Sequence, residues 1–326
     1  GDADEHRRQH ESHSQAADQP FGVGRSAHVL TFAQDPGGGR GAGSRRARAN
    51  GKPRRVRRRS AMTLTRHLPL IWAFAQRELK SRYRTTALGW LWSLAVPLTT
   101  LVIYAVVFTI VFRSEPPDFG NGRAGNYAAW LFVGLVVWGA LANAVNSAIA
   151  TLVDVGPLMQ KVHIPPLAPI LGTVVAMGVQ TLIEVAIALA AMLAFGNVGP
   201  TWLLLVPILA LLLVFTAAVA STLAILNVHA RDTKQITMVA LQLLFFLSPV
   251  LYPIAIAPTE WHGIPVRAIL EANPMTAFID ATRSAVYGLE APSAADAVSM
   301  IAWTAIAVGL AWLTYLTRGR DIAEAV

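Results

Sequence analysis

Chemistry has few places to reside in this chain. Glu184 is essentially the one ionisable side chain inside its long apolar stretches, and Gln180 lies four residues before it, on the same face of a helix. A buried carboxylate of this kind can bind a proton or a substrate, or it can be a packing contact with a polar partner; the packing reading is preferred, because a single carboxylate is a poor basis for proton coupling. A P-loop ATPase is excluded within the chain, since none of the four lysines stands in a G-x-x-x-x-G-K-[ST] context. No H-E-x-x-H and no G-x-S-x-G occurs, and the eight histidines form no ligand spacing. The absence of cysteine rules out a thiol nucleophile, a disulfide scaffold and a Cys-ligated zinc site.

The elements that would hold Glu184 follow from composition. Of the 326 residues, 54% are hydrophobic and 14% charged, against about 25% charged for a soluble domain. The basic excess sits in residues 1–61, which hold 13 of the 27 Lys+Arg and 6 of the 19 Asp+Glu. That tail is rich in Gly, Ser, Arg and Gln and is expected to be disordered. A nucleic-acid arm and a segment resting on anionic lipid are two readings of it; the preferred expectation is that it is dispensable or lies upstream of the true start, Met62 opening the first apolar-rich sequence.

Six apolar stretches follow, at about 88–112, 127–151, 167–195, 202–226, 236–256 and 296–316. Each reaches the ~20 residues that cross ~30 Å of hydrocarbon. Period-2 alternation is lacking, so the expected fold is an all-α integral membrane protein with six transmembrane helices. Pro249 and Pro253 should kink the fifth stretch or end it early. Residues 64–86 are too charged to span and suit a helix in the membrane interface. The segment 257–295 is too polar to span and too apolar for a free loop; it reads as one or two short re-entrant helices broken at Asn273-Pro274. In loop 152–166, Pro157 suits the first turn of a short helix, with Pro165-Pro166 stopping it. Ten lysines and arginines flank the spans on the N-terminal side and four on the other, which places both termini in the cytoplasm.

A six-span body without an engine needs one in trans, and four blocks carry a resemblance that supplies it. Arg77-Glu78-Leu79-Lys80-Ser81-Arg82-Tyr83-Arg84, with Leu88-Gly89-Trp90-Leu91-Trp92-Ser93-Leu94 and Pro97, resembles the entry to the first span of ATP-binding-cassette permeases of type 2. Leu158 to Pro165, Leu226 to Asp232, and Phe246 to Pro253 followed by Asn273-Pro274-Met275 look like three further blocks of that family, in the right order. The nearest branch looks like the exporters of O-antigen, teichoic acid and related lipid-linked glycans; a cell-wall galactan is a candidate cargo.

The resemblance implies a permease subunit of the bacterial cytoplasmic membrane, paired with a second copy of itself and docked on separate ATPase subunits. ATP and Mg would bind those partners, so no cofactor is expected in this chain, and no nucleic-acid partner. Leu158, Met159, Gln160, Lys161, Val162 and His163 would form the coupling helix, with Lys161 at its rim. Arg77, Lys80, Arg82 and Arg84 would form a cytoplasmic gate facing lipid headgroups or the pyrophosphate of a lipid-linked glycan. Tyr127, Trp130 and Trp138 would line the translocation path, where sugars slide on aromatic faces, although an aromatic belt is the commoner role of such residues. Asn273, Asp280 and Arg283 would belong to an outer gate, with Asp280 and Arg283 paired on one helix face. Two other readings stand beside this one: an exporter of the same family for a drug or lipid, and a membrane-embedded glycosyltransferase.

Overall fold

The computed structural model describes residues 67–83, 91–113, 115–162, 164–319 and 322. The basic tail 1–61, Arg84 and His163 lie outside the described residues. The described residues are helical, with one isolated bridge between Trp261 and Ile264.

Helix α1 is Leu68–Tyr83, and α2 is Trp92–Val106, prolonged by a π-turn over Val107–Val111. Helix α3 is Tyr127–Ala148, followed by two single turns, α4 (Thr151–Asp154) and α5 (Gly156–Met159). Helix α6 is Leu167–Ala194 and α7 is Leu205–His229, entered through a 3-10 turn over Pro200–Leu204. Helix α8 is Asp232–Leu247, α9 Val266–Glu271, α10 Pro274–Val286 and α11 Ala294–Arg318.

Among the described residues, four helical runs are long and apolar enough to cross a membrane: Tyr127–Asp154, Leu167–Ala194, Pro200–His229 and Ala294–Arg318, of 25 to 30 residues each. At ~1.5 Å per residue each exceeds ~30 Å of hydrocarbon. The fifth expected span is shorter than its apolar stretch, while residues 88–90 of the first lie outside the described residues. Helix α8 stops at Leu247 because Ser248 precedes Pro249, and the proline ring drives Ser248 into the extended region (φ −99°, ψ 141°). The first turn of α5 contains Pro157, where a missing N–H costs nothing. Two helices flank Asn273-Pro274, as the break there suggests: the Asn273 side chain accepts from the Met275 N–H and Pro274 opens α10.

Helix α3 is the hub. Leu131, Val137, Val145 and Ala148 are fully enclosed, and α3 packs on α6, α7, α10 and α2. Helix α10 is buried on most of its surface, with Met275, Phe278 and Ile279 inaccessible. Helix α1 lies along α6, and Gly172 sets their separation: a Cβ there would come within 2.9 Å of the Ile71 carbonyl oxygen and strike the Cβ of Phe74. Small residues permit this closeness between helices in lipid.

Candidate functional site

The expected residues fall in four groups, on the turn after α3, on α1 and the cavity beyond it, along α3, and on α10. The turn α5 and the residues after it connect α3 to α6. Leu158 is 41% exposed and Val162 55% exposed. Val162 donates its N–H to the Leu158 carbonyl at 3.0 Å, so the two stand one turn apart on a common outer face. Gln160 and Lys161 are also exposed. Met159 and Ile164, by contrast, turn into the chain's own core. The outward apolar surface of this loop is therefore Leu158 plus Val162, fixed from beneath by Leu152, Val155 and Met159.

On α1, Arg77 and Lys80 are exposed. Arg82 meets Glu78 at 3.2 Å, the one ion pair among the described residues, and donates from Nη2 to Ser147 Oγ of α3. An exposed i,i+4 pair stabilises by only ~0.3–0.5 kcal/mol, so the contact with Ser147 is what directs Arg82 toward the bundle. Beyond Arg82, between α2, α3 and α6, lies a cavity of about 390 Å³. Glu184 borders it and accepts from Gln180 Nε2 at 3.0 Å.

The aromatic residues expected along a path are packed inside the chain in this structure. Tyr127 donates its hydroxyl to the Leu251 carbonyl and stacks on Phe108 of α2, ring centroids 5.4 Å apart. Trp138 packs on Phe245 of α8 at 5.5 Å. Trp130 carries Arg283 on its face, with the guanidinium carbon 3.4 Å from the ring centroid. Tyr127 and Trp138 thus sit in the seams that join α3 to α2 and α8.

Arg283 differs from its expected pairing. Its fork does not close on Asp280. It donates to the carbonyls of Pro249 at 2.5 Å, Val250 at 2.7 Å and Trp130 at 3.4 Å. The first two carbonyls lie just past the end of α8, where the helix dipole is negative and peptide oxygens lack helical partners. Arg283 is 6% exposed, and Gly134 makes room for it: a Cβ at 134 would strike Nη2 and stand 3.0 Å from Cζ. Asn273 adds a second tie, donating to the Leu247 carbonyl at 3.2 Å and to Ser248 Oγ at 2.9 Å. Helix α10 therefore grips the broken end of α8 at two points.

A further set was not expected from the sequence. Tyr287 donates its hydroxyl to the Pro117 carbonyl at 2.7 Å and accepts from the Asn126 N–H at 3.0 Å. Its pKa is raised above the ordinary tyrosine value, chiefly by burial and further by Asp118, with the Asn126 N–H pulling the other way. Asn197 donates to the carbonyls of Val286 at 3.0 Å and Tyr287 at 2.9 Å. These bonds tie the loop before α3, the loop after α6 and the end of α10 together. A lone Asn and a lone Tyr in loops give no periodic or motif signal. A proline-flanked loop facing Tyr287 across 170 residues is visible only in three dimensions.

The chain matches the family described as ABC-2 type transporter over residues 69–287. It is similar to the O-antigen export system permease protein RfbA of Myxococcus xanthus, at 32% identity over 266 residues, 79% of this chain and 95% of that protein. A protein of the same name from Klebsiella pneumoniae is 26% identical over 212 residues, 64% of this chain and 77% of its own length. The polysialic acid transport protein KpsM of Escherichia coli is 22% identical over 217 residues, 64% of this chain and 78% of that protein.

Proposed function

The chain belongs to the ABC-2 type transporter family, and from that premise we propose that it is the membrane-spanning permease subunit of an ATP-driven exporter of a lipid-linked polysaccharide. The observation that carries this reading is the similarity to an O-antigen export permease along 95% of that protein's length. The chemistry agrees with it. A chain without a nucleotide-binding motif cannot drive export itself, so ATP and Mg are assigned to a separate ATPase subunit.

In this reading the permease domain is 62–326. The runs Trp92–Val111 and Asp232–Leu247 complete six spans, and both termini face the cytoplasm of a bacterial inner membrane. Two copies pair, each with an ATPase. Leu158 and Val162 enter a groove on the ATPase, Lys161 meets its rim, and Met159 braces the loop from inside. Gln160 and His163 complete the contact. Arg77, Lys80, Arg82 and Arg84 receive the phosphate-bearing end of the cargo at the cytoplasmic leaflet. The path runs along α3 past Trp138, Trp130 and Tyr127 and opens where α3 separates from α2 and α8. Helices α9 and α10 form a re-entrant outer segment in which Asn273, Asp280 and Arg283 hold the gate. ATP binding must favour one of the two states, since a ligand shifts an equilibrium only by its differential affinity.

The test is transport in inverted membrane vesicles that contain the chain and its ATPase. ATP-dependent movement of a lipid-linked glycan into the lumen is expected. Vesicles that hydrolyse ATP and expel a drug or a lipid, but never move the glycan, would replace the cargo assignment.

A further inference from the structure

The cavity between α2, α3 and α6 has walls of two kinds. Trp92, Pro97 and Phe132 contribute apolar lining, and Asn143, Gln180, Glu184 and Arg82 contribute polar lining. Its volume, about 390 Å³, lies within the ~300–1,000 Å³ of small-molecule sites, which pair apolar walls with a few placed polar groups.

Those polar groups are unfinished. Glu184 is 4% exposed, yet Gln180 Nε2 is the one hydrogen-bond donor to its carboxylate among the described residues. Its second oxygen, Oε2, takes no hydrogen bond from the described chain. Gln180 Oε1 is buried with no partner among the described residues. A carboxylate held mainly for packing would be expected to have both oxygens satisfied, because burying an ion costs several kcal/mol unless it is well hydrogen-bonded. Gly139 keeps the gap open. A Cβ at that position would stand 3.4 Å from Asn143 Nδ2 and 3.9 Å from Glu184 Oε2. That is ordinary contact, so nothing in the packing of α3 requires glycine there.

The set favours one ligand chemistry. Two acceptors without a partner among the described residues, an amide donor and aromatic lining suit a ring that carries hydroxyls on its edge and C–H groups on its faces. Hydroxyl donation to a carboxylate is a strong, short hydrogen bond. A metal ion is a poor fit: the described residues hold no group of three His, Cys, Asp or Glu, and Arg82 borders the same space. Arg82 is anchored at Ser147, two turns of α3 from Gly139, which is about 12 Å at ~1.5 Å per residue. A phosphate at Arg82 and a sugar ring at Glu184 fit that interval.

We propose that this cavity is the subsite for the sugar ring nearest the phosphate of the lipid-linked cargo, with Glu184, Gln180 and Asn143 taking its hydroxyls and Gly139 giving it room. The assignment rests on the exporter reading. The site binds the ring only where a phosphate enters with it, so a sugar-bearing carrier lipid should bind more tightly than the bare one.

The experiment compares binding of undecaprenyl pyrophosphate with undecaprenyl pyrophosphate carrying one N-acetylglucosamine, using the purified full chain in nanodiscs. The wild type is expected to favour the sugar-bearing lipid by about tenfold or more, as two or three hydrogen bonds to charged and neutral groups would give. Glu184→Leu and Gly139→Leu should each lose that preference, and Glu184→Gln should keep part of it. If Glu184→Leu fails to fold, the Glu184→Gln and Gly139→Leu comparison carries the test. Equal affinity of the wild type for the two lipids, or a preference that survives both leucine variants, would overturn the subsite and leave the exporter reading standing. An equal gain for phosphatidylinositol over phosphatidic acid would give the cavity to a bilayer lipid and overturn the assignment. Binding of neither polyprenyl lipid would defeat the exporter reading together with the subsite.

Discussion

The guanidinium of Arg283 lies flat over the indole of Trp130, its carbon 3.4 Å from the ring centroid. The same fork holds the carbonyls of Pro249 and Val250. One side chain therefore joins three elements: the N-terminal half of α3, the broken end of α8, and α10 from which it projects. Its charge meets a π-face and peptide oxygens at a helix C-terminus rather than an anion. In the proposed exporter this is the tie that outward opening must loosen or carry along.

Arg283→Lys retains the charge and loses the planar fork and the stacking. The expected cost is about 2 kcal/mol of stability, from weakened carbonyl contacts and the lost cation–π geometry. Gly134→Ala should give a loss of similar size, about 1–3 kcal/mol, because the new methyl group strikes Nη2 of Arg283. Thermal unfolding in detergent checks both. Because they disturb one contact, the double variant should cost less than the sum.

Gly172→Val should detach α1 from α6, since even the Cβ meets the Ile71 carbonyl oxygen at 2.9 Å and strikes Phe74. Limited proteolysis should then cut within 68–83 faster than in the wild type. Association with the ATPase should persist, because Leu158 and Val162 lie on a different element.

Tyr287→Phe removes a hydrogen bond donated to Pro117 and one accepted from Asn126. A loss of about 1–2 kcal/mol is expected, with faster amide exchange around 117–126. The pH dependence has a definite sign. The folded state raises the Tyr287 pKa, so it binds the proton more tightly than the unfolded chain. The contribution of Tyr287 is intact below the ordinary tyrosine pKa, and it falls as the pH rises above that value. Alkaline titration of the phenylalanine variant should lack that part of the decline.

The long helices were legible because burial in hydrocarbon demands long apolar runs, and Leu167–Ala194 lies within the stretch read as 167–195. The stop at Leu247 and the break at Asn273-Pro274 were legible as well, since proline acts on its immediate neighbours. Partnership across the chain was not. Spacing suggested that Arg283 pairs with Asp280, but the carbonyls it holds come from residues 33, 34 and 153 positions away. Carbonyls carry no side-chain signature, and the glycine that admits the guanidinium looks like any other in an apolar helix. Within the coupling loop, apolar residue types marked a surface, but the sequence did not separate the outward Leu158 and Val162 from the inward Met159 and Ile164.

Lys161 is exposed beside the two outward apolar residues. In the proposed docking it sits at a rim, so Lys161→Ala should slow association and weaken its salt dependence while changing affinity by less than about 1 kcal/mol. Binding kinetics at two ionic strengths, with the purified ATPase subunit, measure this.

The central claim is that this chain transmits the work of a separate ATPase. The most direct measurement is copurification of the solubilised chain followed by an ATP hydrolysis assay, comparing the wild type with Leu158→Asp/Val162→Asp. The account predicts an ATPase bound to the wild type and lost from the variant, with the variant still folded by thermal unfolding. A well-folded wild-type chain that captures no ATPase would contradict it.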